Sequence, residues 1–515
     1  MRAPRIAVSL VLIASLLAAP SALAELKLPA VISDGMVLQR DMRVPIWGTA
    51  DPGQQVTVTV RDQRISATAG PDGRWVLQLK PLKPGGPFSM TVSGGNIITV
   101  SDVLVGDVWV CSGQSNMAWA LQNTTNAQQD IAAANHPRIR LFKVKNVVGD
   151  KPLHDTEATW QASTPETARA FSAVGYFFGR DLHRELHVPI GLIGTYWGGT
   201  PAEAWTSRAT LEANPELHAP LDRWDEVLAN YPKAKANYDQ RLAQWQENAP
   251  KLRAEGKPVP RRPRAPRGPG SPHAPGGLFN GMISPLLPYA IKGAIWYQGE
   301  SNAGRAYQYR KIFPAMIRDW RRNWGQGAFP FMWVQLPNFR EYKAEPGDSD
   351  WAELREAQLM TLALPNTAMA IIIELGEARD IHPKNKAPVG RRLALAALGT
   401  VYGEDIVHSG PIYKSMTVEG RRARLRFRHI GGGLVAKGGP RLRGFTVAAA
   451  DRTFYHASAH IDGNTVVVSS AAVRNPVAVR YAWADNPVCN LYNAAGLPAA
   501  PFRTDDWRGI TAGKR

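Results

Sequence analysis

The chain has 515 residues, 44% of them hydrophobic and 20% charged, which is enough apolar material for more than one core and excludes a disordered or fibrous chain. Its only cysteines, Cys111 and Cys489, lie far apart, so a disulfide framework is excluded as the source of stability. The formal net charge is +18, but much of the excess falls in residues 251–277, KLRAEGKPVPRRPRAPRGPGSPHAPGG, which lacks the interleaved aromatics and the motifs of a nucleic-acid binder.

Along the chain, Arg2 and Arg5 precede the apolar run IAVSLVLIASLLAA and the small-residue ending Ala22-Leu23-Ala24. This is the pattern of a secretory signal, residues 1–24, cleaved after Ala24. Its removal takes two arginines and leaves 18 − 2 = +16. No other stretch has the apolar length of a membrane span, so an exported, periplasmic or secreted protein with no span after signal cleavage is expected. Residues 25–103 alternate at the strand period, most clearly in Gln55–Val60, with turns at Pro52-Gly53, Asp72-Gly73 and Gly94-Gly95. They predict an N-terminal β-sandwich-like module.

From 104 to 405 the pattern becomes apolar strands separated by helical segments, which predicts an α/β domain with a parallel sheet flanked by helices. The strands are LVGDVWVC, IRLFKVK, IGLIGTYW, KGAIWYQ, FPFMWVQL and AMAIIIEL. A helical, charged and then basic, Pro-rich insertion interrupts them at about 208–277, its basic part expected to be a solvated loop. Residues 406–515 return to the β style in ARLRFRHIGGGLV, LRGFTVAAAD, NTVVVSSAAV and PVAVRYAW, a C-terminal β module.

Four segments are small and polar where an apolar strand stops: GQSNM, GTYWGGTPAEAW, WYQGESN and GEARDIHPKNK. Ligands bind at the carboxyl ends of strands in open α/β sheets, so these are the candidate site. A serine hydrolase needs a nucleophile, a base, a group that orients the base, and donors aimed at the developing oxyanion. Ser115 supplies the first, although with Asn116 it also fits a plain helix cap. His382 is the only histidine in the set, and Asp380 is its nearest carboxylate. Gly198 and Gly199 lack a Cβ and can bring a backbone N–H close to a substrate. Gln298 and Asn302 offer side-chain amides.

Taken in order, GQSNM, WGGTPAEAW, WYQGESN and DIHP resemble the bacterial sialate O-acetylesterases of the SGNH hydrolase superfamily, and the likeness extends over nearly the whole mature chain. The resemblance implies an SGNH-like esterase sheet, Ser115 as nucleophile and His382 as base. It also implies an oxyanion hole built from the Ser115 N–H, a glycine N–H of the WGG turn (Gly199, with Gly198 beside it) and the Gln298 amide. Two departures stand out. The D-x-x-H block has Arg379 at its first position and carries its carboxylate as Asp380, giving D-x-H. The G-x-N-D block has Ser301 in place of Asn, with Gln298 as the substitute and Asn302 second. Glu300 is left with two roles, bracing the loop or replacing Asp380.

The expectation is an exported carbohydrate O-acetylesterase with no metal or other cofactor, whose partner is an O-acetylated carbohydrate. Sialic acid and plant hemicellulose such as xylan or xyloglucan are alternative substrates. A non-catalytic carbohydrate-binding protein is the rival from another class. His183 and His187 in HRELH sit four apart, but Glu185 is misplaced for H-E-x-x-H, so a solvated helix end is expected there. Of Trp109, Trp119, Trp197, Trp205 and Trp296 near the site, most are expected in the core and one or two free to stack on a sugar.

Overall fold

The computed structural model describes residues 25–514; the signal reading of residues 1–24 lies outside them. The six apolar runs of the middle segment all form strands, and all pair in parallel. Across the sheet the order is Thr367–Ala370, Phe331–Val334, Gly293–Tyr297, Ile97–Gly113, Ile190–Tyr196, His136–Lys143, with Trp160–Ser163 added antiparallel at the edge. The chain first builds one side of Ile97–Gly113 and then crosses to the other. Its carboxyl end is therefore the switch point at which an α/β sheet opens a crevice.

Helices cover both faces. Ala173–Leu186 packs with Ala387–Thr400, close enough that a Cβ on Gly390 would meet Phe177 at 2.5 Å. Ala306–Trp324 packs with Asp350–Met360 on the other side. Buried on both faces, the strands are apolar throughout rather than alternating.

The Ile97–Gly113 strand is seventeen residues long and serves two layers. Its first half pairs antiparallel with Gly85–Ser93 of the N-terminal β module and parallel with Val37–Gln39. Its second half is the centre of the parallel sheet. Position 104 thus lies inside one unbroken strand, and the N-terminal module shares a continuous core with the α/β layer. The C-terminal segment has its own core, between the four-stranded sheets Ile412–Glu419, Arg422–Arg428, Thr465–Ser469, Ser458–Asp462 and Phe454–His456, Phe445–Ala448, Ala478–Tyr481, Phe502–Arg503.

The insertion is dominated by one helix, Ala219–Ala254, along which only Pro220, Leu221 and Ala249 are buried. The basic stretch after it is mostly exposed as far as Arg267 and then docks: Gly268 lies under the Tyr231 ring, and Gly276 N–H donates to the Glu203 carbonyl at 3.0 Å. The expectation of a solvated loop therefore holds for its first part and is corrected for 268–277, where small residues let the backbone close onto the domain. Cys111 and Cys489 are both free thiols, the former fully buried. Among the described residues no helix is long and apolar enough to cross a membrane.

Candidate active site

Three strands stop at one level. Gly113 is in register with Tyr196 on one side and Tyr297 on the other, so the segments beginning at Gln114, Trp197 and Gln298 leave the sheet together. A Cβ on Gly113, at φ +138°, would come within 2.2 Å of the Tyr297 carbonyl oxygen, so the close approach requires glycine. Gln114 N–H then donates to the Tyr297 carbonyl at 3.0 Å and Trp197 N–H to the Gly113 carbonyl at 3.1 Å.

Ser115 is the first residue of the short helix Ser115–Ala118, and Gln114, not Ser115, holds the cap position. Its hydroxyl is engaged elsewhere: Ser115 Oγ and His382 Nε2 are 2.8 Å apart. The Ser115 N–H, in the first turn, has no partner within the helix. His382 comes from the loop after the last strand. Its ring stacks on Trp119 (centroids 5.3 Å, 14° between planes), and the His382 backbone N–H donates to Asp380 Oδ1 at 2.9 Å. The same Asp380 oxygen lies 3.5 Å from His382 Nδ1. Burial, reinforced by Lys386 and opposed by Asp380, holds His382 below the ordinary histidine value. A neutral imidazole against a serine hydroxyl is a base in position to take its proton.

The WGG turn closes the other wall. Gly198 stands against the serine, where an added Cβ would lie 3.3 Å from Ser115 Cβ, and Gly199 is exposed at φ +76° with open space around it. Thr200 Oγ1 pins the turn to the Trp197 carbonyl at 2.7 Å. The His273 ring, from the docked end of the insertion, lies against the Gly199 backbone.

Gln298 and Asn302 differ from expectation. Gln298 is fully buried, and its Nε2 donates to Asn302 Oδ1 at 2.7 Å and to the Thr200 carbonyl at 3.3 Å, while its Oε1 accepts from Tyr309 at 3.0 Å. Both amide hydrogens are committed, so Gln298 braces the turn instead of offering an oxyanion donor. Asn302 is the hub of that brace: its Oδ1 also accepts from Ala202 N–H at 3.0 Å, and its Nδ2 donates to Glu203 Oε2 at 2.9 Å. Burial works to raise the Glu203 carboxyl, but Arg305 and Arg223, each 3.0 Å away, outweigh it and hold it below the ordinary range.

Glu300 does not touch His382. Its Oε1 accepts from Asn116 Nδ2 at 2.6 Å, and the same Nδ2 donates to the Ile381 carbonyl at 2.9 Å. Of its two expected roles, the loop-bracing one matches these bonds. Asn116 Oδ1 in turn accepts from the buried Lys386 ammonium. In sequence Asn116 reads only as a cap and Lys386 as an ordinary loop lysine, and the one signal for either is its place, one residue after Ser115 and four after His382. Trp109, Trp205 and Trp296 are core; Trp119 and Trp197 are half-buried at the site. His183 Nδ1 meets the Val188 carbonyl at 2.6 Å, and His187 ends its helix at φ +55°. Among the described residues no group of three or more metal-ligating side chains is gathered.

A family model for "Carbohydrate esterase, sialic acid-specific acetylesterase" matches residues 105–243 and 278–399, skipping the basic part of the insertion. Sialate O-acetylesterase from Mus musculus is 31% identical, covering 92% of this chain and 93% of its own length, and that from Homo sapiens is 31% identical over 98% and 97%. The crystal structure of a carbohydrate acetylesterase from Xanthomonas citri is 40% identical, with TM-score 0.80, covering 94% of this chain and all of the other.

Proposed function

We propose, for a chain that belongs to the sialic acid-specific acetylesterase family of carbohydrate esterases and is a carboxylic ester hydrolase, that it removes acetyl groups from sugar hydroxyls through an acetyl-serine intermediate on Ser115. His382 Nε2 takes the Ser115 proton as Oγ adds to the acetyl carbonyl carbon. The N–H groups of Ser115 and Gly199, with Gly198 beside them, hold the resulting oxyanion. Collapse breaks the bond to the sugar oxygen, which leaves as the alcohol with the proton from His382. Water, deprotonated by the same imidazole, then attacks the acetyl-serine and frees acetate. Asp380 orients His382, and the whole is an SGNH-type arrangement that draws on no metal.

The observation that carries this reading is the 2.8 Å contact between Ser115 Oγ and His382 Nε2 at the switch point of the sheet. O-acetylated sialic acid is the substrate favoured, in line with the mammalian relatives. Acetylated hemicellulose is the second reading, because the more similar Xanthomonas enzyme is described only as a carbohydrate acetylesterase. The leader-like residues 1–24 support an exported enzyme. Acetate release from O-acetyl sialic acid and from acetylated xylan, assayed side by side, is the test. Faster release from the sialic acid is expected, release from xylan alone transfers the assignment to hemicellulose, and none from either or from an aryl acetate overturns the esterase mechanism.

A further inference from the structure

The site holds a buried cation that serine and histidine chemistry does not itself use. Lys386 is 0% exposed. Its Nζ donates to Asn116 Oδ1 and lies 5.2 Å from the Tyr297 ring and 5.9 Å from the ring of Trp119, the indole stacked on His382. Among the described residues it forms no ion pair with a carboxylate. Lysine is rarely buried so completely without one. Lys386 is also the cap residue at the start of the helix Ala387–Thr400, where the helix dipole opposes a cation. Burial brings its ammonium down to about 7 against the pull of Glu300, Asp380 and Glu377.

Asn116 turns this cation into geometry. Its Nδ2 ties Glu300 to the Ile381 carbonyl, and so ties the residue after Ser115 to the residue before His382. An amide fits these three partners one way round only, with oxygen toward a donor and nitrogen toward two acceptors. An ammonium cannot accept, so Lys386 fixes that orientation. The groups facing His382 are Asp380 from its own loop, Ser115 and Trp119 from the serine helix, and Lys386 from the helix that follows; of these, Asp380 favours the charged imidazole and Lys386 opposes it.

We propose that Lys386 is a positioning residue for the Ser115–His382 pair: it locks the Asn116 amide that joins the two segments, and its positive charge beside the Trp119–His382 stack opposes a second positive charge on the imidazole. This rests on the serine mechanism above. The test is the pH profile of kcat/KM on 4-nitrophenyl acetate for Lys386→Met, which removes charge and donor, and Lys386→Gln, which keeps an N–H donor. In both, the acid limb moves to higher pH by about half a unit or more, since a nearby positive charge has been taken from His382. kcat falls with KM little changed, and Lys386→Gln retains more of it. Should Lys386→Met fail to fold, Lys386→Gln carries the comparison. An unmoved acid limb in either folded variant overturns the proposal. Ser115→Ala is assayed beside them: if it keeps turnover, the serine mechanism itself falls, whereas Ser115-dependent turnover with an unmoved limb refutes only the role of Lys386.

Discussion

In the proposed mechanism His382 accepts the Ser115 proton only while its ring is neutral, and burial together with Lys386 extends that condition toward acid. Burial holds its pKa below the free value of about 6.5, so the base form persists to lower pH than in a free histidine. The acid limb of kcat/KM is therefore expected at lower pH than a free histidine would give. Asp380 is the group that pulls the other way. Asp380→Asn should therefore shift the acid limb further down while lowering the rate, because an amide no longer favours the right imidazole tautomer. In a serine protease that change costs about 10⁴. Here the carboxylate is 3.5 Å from Nδ1 and partly exposed, so a loss of about 10² is expected, scaled down from that figure. Glu300→Gln should cost less than tenfold, roughly the weakening of one hydrogen bond, because a glutamine oxygen still accepts from Asn116. Steady-state kinetics of both variants on one aryl acetate decide it; the reverse ranking hands the orienting role to Glu300.

At this scale the sequence shows residue types at strand ends but not which atoms meet. Ser115 and His382 stand out in sequence because the proposed chemistry needs a hydroxyl and an imidazole, and the fold sets the two 2.8 Å apart. Gln298 misleads for the same reason: an amide at a strand end reads as a donor, and only the Asn302 and Thr200 acceptors around it reveal that its hydrogens are taken. Lys386 gives no sign of burial, since most lysines in a DIHPKNK-like loop are solvated, as Lys384 is.

Among the elements, the parallel strands are readable because burial on both faces leaves continuous apolar runs. The edge strand Trp160–Ser163 is too short and mixed, WQAS, to announce itself. The apparent boundary at 103/104 has a physical origin. Burial along Ile97–Gly113 is patchy through Asp102 and continuous from Val103 onward, so the composition shifts where the strand passes from a half-exposed sheet into a doubly covered one. A change of environment looks, in sequence, like a change of domain. The insertion supports a separate prediction. Tyr231 and Gly268 touch, while the helix between them is mostly exposed. Replacing residues 233–266 with a short Gly-Ser turn should leave kcat on an aryl acetate within about twofold and thermal stability nearly unchanged, as expected for surface changes that remove little packing. A collapse of activity in that variant would show that the exposed arm shapes the site.

For the whole molecule, the C-terminal module is held to the esterase layer by polar pins. Arg355, fully buried, donates to the carbonyls of Leu336 and Pro337 on its own side and of Ala484 and Asp485 on the other, all between 2.7 and 2.9 Å. Ser349 adds a 2.5 Å bond to Asp485 Oδ1, and Arg503 a 2.7 Å bond to Glu356. Arg355→Ala orphans four carbonyls at once. A loss on the order of 3 kcal/mol or more is expected, because each buried acceptor left unpaired costs about 1–3 kcal/mol. Differential scanning calorimetry should show the C-terminal module melting first, and an unchanged thermogram would refute the pin. Prolonged chelation should leave activity intact, since His183 is engaged with a backbone carbonyl and His187 lies outside the helix end; loss with chelator and rescue by zinc would contradict this.

The claim that joins these scales is that Ser115 carries the acetyl group during turnover. The most direct measurement is mass spectrometry of enzyme acid-quenched during hydrolysis of an aryl acetate, with Ser115→Ala treated in parallel. The account predicts an acetylated peptide spanning Val108–Leu121 in the native enzyme. In Ser115→Ala it predicts no adduct and no acetate release beyond the uncatalysed rate, with a native-like thermal melt because only one oxygen is removed. A folded Ser115→Ala enzyme releasing acetate at near native rate would contradict it.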